Sequence, residues 1–204
     1  WYVVEGDVTI TPRLDTHGAV NLILTDDCHL TVPWGINVKE GDTFTICAQS
    51  TAEASMGKLT ACLPEDFNSD GSVDYVVWPD EGLSGIGGGV RWKKANNGIY
   101  ESEGTIVING GNIRARGQNR ASAIGGTFQD HADVASSGYS SEKRLGGSIT
   151  INGGIVRTEA ITSGTAITAF NVGIGSCCSG YGGSVTINGG TVIANAASSA
   201  ISTG

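Results

Sequence analysis

The segment from Asp66 to Asp74, Asp-Phe-Asn-Ser-Asp-Gly-Ser-Val-Asp, carries oxygen ligands at the spacing of a calcium-binding loop. Alternating side-chain oxygens would surround one hard cation, and the glycine at the sixth position would permit the sharp turn. One residue of the loop would contribute its backbone carbonyl, and the last acid a direct or water-mediated contact. The sequence therefore predicts a structural Ca²⁺ site formed by Asp66, Asn68, Asp70, Ser72 and Asp74.

The twelfth position of this loop departs from the pattern, because Val77 stands where a bidentate acid is expected. Asp80 or Glu81 could take that place, but no flanking helices are evident in the sequence. An acidic turn rich in Asp, Asn and Gly is the alternative interpretation. The sequence leaves both interpretations open.

Aromatic and basic side chains gather in the less regular stretch 64–103. Aromatic faces stack on sugar rings, and bases can meet acidic glycans or a protein partner. The alternative is that the rings cover apolar edges of the fold. As a group they form the predicted binding residues, Tyr75, Trp78, Arg91, Trp92 and Tyr100.

Polysaccharide chemistry needs acids in a defined arrangement: paired carboxylates for hydrolysis, or Ca²⁺-binding acids with an Arg base for a lyase. Acids occur at Asp26-Asp27 and at Asp15-Thr-His-Gly18, without an accompanying basic motif. Asp130-His-Ala-Asp133 could bind a metal from a loop, with a solvated insertion as the alternative. The repeated segments described next are nearly free of acids, and Arg114, Arg116 and Arg157 are their main charges. We therefore expect no catalytic residues.

Three segments of the chain repeat one pattern, Gly-x-(Ile/Val)-(Val/Thr)-Ile-Asn-Gly-Gly, at 104–111, 147–154 and 183–190. A second β-like run follows each one, at Asn112–Ala115, Ile155–Thr158 and Thr191–Ala194. Strand, Gly-Gly corner and strand, followed by a third short strand, make one coil of a solenoid. A coil cannot bury its own apolar face, so several must stack. The recurring Asn109, Asn152 and Asn188 are predicted to bond to one another between coils.

The third run of each coil can be aligned in two ways. One alignment uses Ala123-Ile124, Ala166-Ile167 and Ala200-Ile201, and another places Gly173–Ser176 opposite Ala123–Gly126. The surplus length of two coils predicts looped insertions at Thr127–Arg144 and Ala169–Gly180, which should project from one edge of the stack.

The first half of the chain carries similar short strands without the Asn-Gly-Gly corner, and Leu24 aligns with Ile46 at about one coil's spacing. Ser84–Gly88 also anticipates Ser122–Gly126. The solenoid therefore extends over the whole chain, with a Greek-key sandwich as the alternative. The candidate strands are Val8–Ile10, Asn21–Leu24, Leu30–Val32, Ile36–Val38, Thr43–Ile46 and Lys58–Ala61.

Composition agrees with an all-β fold, since 32 of the 204 residues are Gly and glycine is poor in helix interiors. The net charge of −8 argues against nucleic acid or an anionic membrane as partner, and no apolar run is long enough to cross a bilayer. The chain begins at Trp1 without a leader, so we expect a fragment of a larger protein. Five cysteines are an odd number, and their connectivity stays open.

Several of these segments together resemble surface proteins of gut bacteria. The resemblance rests on Trp1–Ile10, Val20–Thr31, Gly35–Val38, Gly57–Ala61 and the Gly-Ile-Gly-Gly and Ile-Asn-Gly-Gly repeats, and it covers nearly the whole chain. It implies a right-handed parallel β-helix with carbohydrate-binding-like repeats that is secreted or attached to the cell wall.

The sequence thus predicts a single all-β domain over residues 1–204, a right-handed parallel β-helix with looped insertions. Its expected function is that of a non-catalytic extracellular adhesion module that recognises a glycan or host protein through loops and a flat face. A mucin or an immunoglobulin would be such a partner, and nothing in the sequence selects one. The alternatives are a lyase-type enzyme acting on polysaccharide and a structural spacer of a cell-surface protein.

Overall fold

The computed structural model describes residues 1–62, 84–88, 90–93, 97–100, 103–118, 121–126, 147–161, 172–176, 183–196 and 199–203. Every regular element in these ranges is a β-strand. Eighteen of the twenty strands form three parallel sheets of six strands each, and the chain visits the sheets in turn. This is the predicted right-handed parallel β-helix, and its parallel pairing excludes the Greek-key alternative.

Each coil contributes one strand to each sheet, so the stack has six coils. The first sheet contains β1 (Tyr2–Val4), β4 (Ala19–Leu24), β7 (Thr43–Ala48), β12 (Thr105–Ile108), β15 (Ser148–Ile151) and β18 (Ser184–Ile187). The second contains β2 (Asp7–Thr9), β5 (His29–Val32), β8 (Lys58–Ala61), β13 (Asn112–Gln118), β16 (Ile155–Ile161) and β19 (Thr191–Ala196). The third contains β3 (Leu14–Asp15), β6 (Ile36–Asn37), β9 (Ile86–Gly87), β14 (Ile124–Gly125), β17 (Val172–Gly175) and β20 (Ser199–Ser202).

The core is built from columns of apolar residues that stack one above another, because parallel register places equivalent residues of successive coils side by side. One column of the first sheet runs Leu22, Ile46, Ile108, Ile151, Ile187. The column of the second sheet runs Val8, Leu30, Leu59, Ile113, Val156, Val192. That of the third runs Leu14, Ile36, Ile86, Ile124, Ile174, Ile201.

Stacking leaves the last coil only partly covered. Ile151 is fully buried, whereas Ile187, its partner in the next coil, is 45% exposed. The same change occurs in the third sheet, where Ile174 is buried and Ile201 is 42% exposed. The hydrophobic stabilisation is therefore concentrated in the middle coils.

In the third sheet, glycine follows the buried isoleucine in three successive coils. Gly87, Gly125 and Gly175 pair in register and have φ of 136°, 131° and 116°. A Cβ at Gly125 would overlap the carbonyl oxygen of Gly175 in the next coil. The Ile-Gly pair is thus required by close approach of coils as well as by backbone conformation.

Arg13 fastens the first coil to the third across the second. Its guanidinium donates to the carbonyl of Trp34 at 2.8 Å and to that of Ser84 at 3.1 Å. It also donates to the carbonyls of Gly87 and Gly88, both at 3.2 Å. Five donors in a planar fork suit this role, because they satisfy carbonyls at both ends of β9.

The structure confirms the repeated strands and the six candidate strands of the first half, and it corrects their register. Leu22, not Leu24, pairs with Ile46, a shift of two residues that keeps the same side chains facing inward. In the third sheet Ile174 pairs with both Ile124 and Ile201, so the alternative alignment through Gly173–Ser176 is correct.

This pairing also corrects one insertion. The predicted insertion Ala169–Gly180 is wrong in its bounds, because Val172–Gly175 is a strand of the third sheet. Thr127–Arg144 and Ala166-Ile167 lie outside the described residues. The antiparallel ribbon of β10 (Val90–Lys93) and β11 (Asn97–Tyr100) was not predicted.

Candidate binding face

The predicted site residues fall largely in the connections between coils. Asp66, Asn68, Asp70, Ser72 and Asp74, together with Tyr75 and Trp78, lie outside the described residues. Of the other three, Arg91 and Trp92 belong to β10 and Tyr100 to β11. Antiparallel pairing sets Val90 opposite Tyr100 and Arg91 opposite Ile99. The backbone of one ribbon thus carries three of the five predicted binding residues.

The long connections all flank the third sheet. Residues 62–85 and 162–171 precede its strands β9 and β17, whereas 88–104 and 126–147 follow β9 and β14. By contrast, the Gly-Gly corners between the first and second sheets are tight in the last three coils, with φ of 102° at Gly111. The edge between the first and second sheets is therefore regular in the last three coils.

The first sheet presents an uncharged outer face. Its strands contain no acidic or basic residue, and hydroxyls recur along them, as in the bond from Ser148 Oγ to Thr105 Oγ1 at 3.2 Å. The asparagines at its edge form the predicted ladder. Asn188 Nδ2 donates to Asn152 Oδ1, and Asn152 Nδ2 to Asn109 Oδ1, each at 2.8 Å. These amides hold adjacent coils together.

The ladder ends at a thiol. Asn109 Nδ2 lies 3.7 Å from Cys47 Sγ in the coil before it. Cys28, Cys47 and Cys62 are free, and they occupy different positions in their coils.

The second sheet carries the arginines. Outward positions alternate with buried ones along β13 and β16, and register sets Arg114 opposite Arg157 and Arg116 opposite Glu159. Adjacent strands are about 4.8 Å apart, so the four side chains share one small area. One carboxylate and three guanidiniums give these four side chains a net positive charge, in a chain whose net charge is −8.

Glu159 is fully engaged by two of the three arginines. Its Oε2 accepts from Arg116 Nε at 2.7 Å, and its Oε1 lies 3.3 Å from an Arg114 terminal nitrogen. The Arg116 side chain is 10% exposed, and that of Arg114 is 46% exposed. Arg116 is therefore mainly structural, because a buried guanidinium needs its counter-charge, whereas Arg114 remains accessible from solvent.

Arg157 has a neutral partner. Its guanidinium donates to Asn112 Oδ1 at 3.0 Å, and no carboxylate of the described residues lies within ion-pair distance. Like charges directly opposite each other on neighbouring strands are destabilising. The Arg114–Arg157 pair thus carries more positive charge than Glu159, which also contacts Arg116, can balance.

Sequence reasoning noted these arginines as the main charges of the repeats but did not propose them as a site. The signal was present, because Arg114 and Arg157 occupy the same position in the runs Asn112–Ala115 and Ile155–Thr158. Equivalent positions in neighbouring coils must become neighbours in space.

One further ionisable group is buried. Glu103 forms an isolated antiparallel bridge with Lys39 just before β12, and its side-chain Oε2 accepts from the Gly147 amide at 3.2 Å. Burial raises the pKa of this carboxyl to about 8, and the Gly147 hydrogen bond opposes that shift.

The acids considered for catalysis do not converge in the described part of the chain. Asp15 accepts from its strand neighbour Asn37 Nδ2 at 2.9 Å in the third sheet, and Asp26 accepts from Ser50 Oγ at 2.8 Å between the first and second sheets. No group of three His, Cys, Asp or Glu side chains suited to a metal ion occurs among the described residues. Asp130 and Asp133 lie outside them.

Comparison with known proteins gives no match: no protein-family model, curated protein or solved structure is similar to this chain. Among the described residues, no helix has the length and hydropathy that crossing a bilayer requires.

Proposed function

We propose that this chain is a non-catalytic extracellular binding module that recognises a glycan or a host protein through the outer face of its second sheet. The observation that carries the proposal is the row of outward residues along that face. Thr9, Thr31, Thr60, Arg114 and Arg157 follow one another through five coils in register. A rigid, flat row of hydrogen-bond donors is suited to an extended ligand.

Three further elements belong to the proposal. The resemblance to surface proteins of gut bacteria supports a secreted or wall-attached location. The sequence pattern from Asp66 to Asp74 supports a structural Ca²⁺ in the connection before β9. Arg91, Trp92 and Tyr100, carried by the backbone of the β10–β11 ribbon in the connection after β9, are included as further candidate binding residues.

The test is a screen of immobilised glycans and host proteins, with and without Ca²⁺, using two matched obstructing variants. Thr31→Trp places a bulky ring on the face of the second sheet, and Thr150→Trp places one on that of the first. Both threonines are half-buried outward residues of a strand. We expect Thr31→Trp to lose binding and Thr150→Trp to keep it.

Other outcomes separate the alternatives. A chain that binds nothing in the screen acts as a spacer, and one that releases unsaturated sugars from polysaccharide is a lyase. Unchanged binding by both variants would assign binding to another surface. A chelator that lowers the melting temperature without affecting binding would identify the Ca²⁺ as structural, whereas no shift would exclude Ca²⁺ from the loop.

A further inference from the structure

We infer that Arg114 and Arg157 form an oxyanion site for the sulfate or carboxylate groups of an acidic glycan that lies along the axis of the stack. The inference rests on the proposed function and names its ligand class. Both arginines come from equivalent positions of neighbouring coils, and their Cα atoms are paired in register on adjacent strands. A sulfate or carboxylate between them can accept hydrogen bonds from both forks.

The charge distribution around the pair calls for an anion at that point. Glu159 already contacts Arg114 and Arg116 with its two oxygens, and Arg157 has only the neutral Asn112 as partner among the described residues. Two like charges side by side raise the free energy of the unliganded face. An oxyanion bound between them relieves that repulsion and forms charge-assisted hydrogen bonds.

The residues before and after the pair favour a glycan over other polyanions. The same row continues through the hydroxyls of Thr60, Thr31 and Thr9 in one direction. In the other it reaches Ile193, which is 43% exposed. A sugar polymer offers hydroxyls, anionic groups and apolar ring faces at short regular spacing, so each kind of residue meets a matching group. Nucleic acid is disfavoured by the net charge of −8.

The test measures binding of the whole chain to four soluble polymers by fluorescence anisotropy at two salt concentrations. Dextran sulfate supplies sulfate, polygalacturonate supplies carboxylate, unmodified dextran is the neutral glycan, and polyglutamate is the acidic peptide. We expect wild-type protein to prefer the two acidic glycans and to bind them more weakly at the higher salt, because exposed charges are screened.

The variant Arg114→Gln/Arg157→Gln should lower affinity for the acidic glycans by about a hundredfold, or tenfold per charge-assisted contact. Arg114→Lys/Arg157→Lys keeps both charges without the fork and should give an intermediate loss. The matched control Ser184→Asp/Thr186→Asp changes net charge equally on the exposed edge of the first sheet, and it should bind as wild type does. Thermal unfolding of each variant verifies that the fold is retained.

Several results would overturn the inference. Equal affinity for dextran and dextran sulfate would show that the protein does not recognise the anionic group. Polyglutamate binding as tightly as the acidic glycans would assign an acidic protein as the partner. Unchanged binding by the double Gln variant would place any anion site elsewhere. If that variant kept a ligand from the earlier screen, the proposed function would stand without this site. If wild type bound neither the screened ligands nor these polymers, the proposed function itself would fail.

Discussion

Asn152 is bonded to asparagines of both neighbouring coils, donating to Asn109 and accepting from Asn188, each at 2.8 Å. The three residues occupy the same corner of successive coils, so their amides point in the same direction along the stack. Each rung satisfies the next without a charged group. The ladder therefore links coils at the edge of a face whose strands carry no charged residue.

Removal of the middle rung should destabilise the protein more than removal of the last. Asn152→Ala loses two side-chain bonds and Asn188→Ala loses one, and each exposed bond is worth about 0.5 to 1 kcal/mol. Urea unfolding should therefore rank Asn152→Ala below Asn188→Ala in stability. Asn152→Asp should resemble Asn152→Ala or be worse, because a carboxylate cannot donate to Asn109. Equal stability of all three variants would contradict a stabilising ladder.

The glycines of the third sheet should not tolerate a side chain. Gly125→Ala forces a Cβ against the Gly175 carbonyl at φ 131°, so we expect a loss of more than about 4 kcal/mol or no native fold. Gly41→Ala is the matched control, because Gly41 also has positive φ, 86°, but has open space around it. It should lose only about 1 to 2 kcal/mol. Urea unfolding measures the stability of both variants. Similar losses of stability would show that backbone conformation alone, and not the contact with Gly175, causes the destabilisation.

Much of this fold could be predicted because the coils repeat the same short sequence pattern. The alternation of Ile and Thr, the Gly-Gly corner and the Asn ladder are all readable when three copies are aligned. The register of the strands was harder to predict, since a shift of one strand by two residues keeps every apolar side chain facing the core. The sequence spacing therefore aligns Leu24 with Ile46, whereas the strand partner of Ile46 is Leu22.

The binding face was harder to predict than the fold. Arg114 and Arg157 were visible as charges, but their significance depends on being neighbours and on which carboxylate each contacts. Those contacts form only when coils stack, so the spacing of residues within one coil does not predict them. The same holds for Glu103, whose burial depends on residues from the corners of three coils.

Glu103 should make the protein less stable as the pH rises. Its pKa is raised to about 8 in the folded state from an ordinary value of 4.5, so the neutral form is favoured on folding. The resulting stabilisation is fully present below pH 4.5, falls between pH 4.5 and about 8, and is absent above it. The total change is several kcal/mol at most, since each pKa unit is worth about 1.4 kcal/mol.

Glu103→Gln keeps the shape and the acceptor for the Gly147 amide but does not titrate. Its stability, measured by urea unfolding from pH 5 to 8, should therefore fall less than that of the wild-type protein. Glu40→Gln is the control, because Glu40 is exposed in the neighbouring corner, and it should keep the wild-type slope. Parallel slopes for Glu103→Gln and wild type would show that Glu103 ionises freely in the folded protein.

Truncation of the isoleucine column should cost less at the last coil than in the middle. Ile151 is fully buried between Ile108 and Ile187, so Ile151→Ala should lose about 2 to 5 kcal/mol through lost burial and a cavity. Ile187→Ala should lose about half as much, because 45% of its surface is already in water. Urea unfolding of the two variants measures the difference. Equal losses would contradict the partial exposure of the last coil and show that Ile187 is covered in solution.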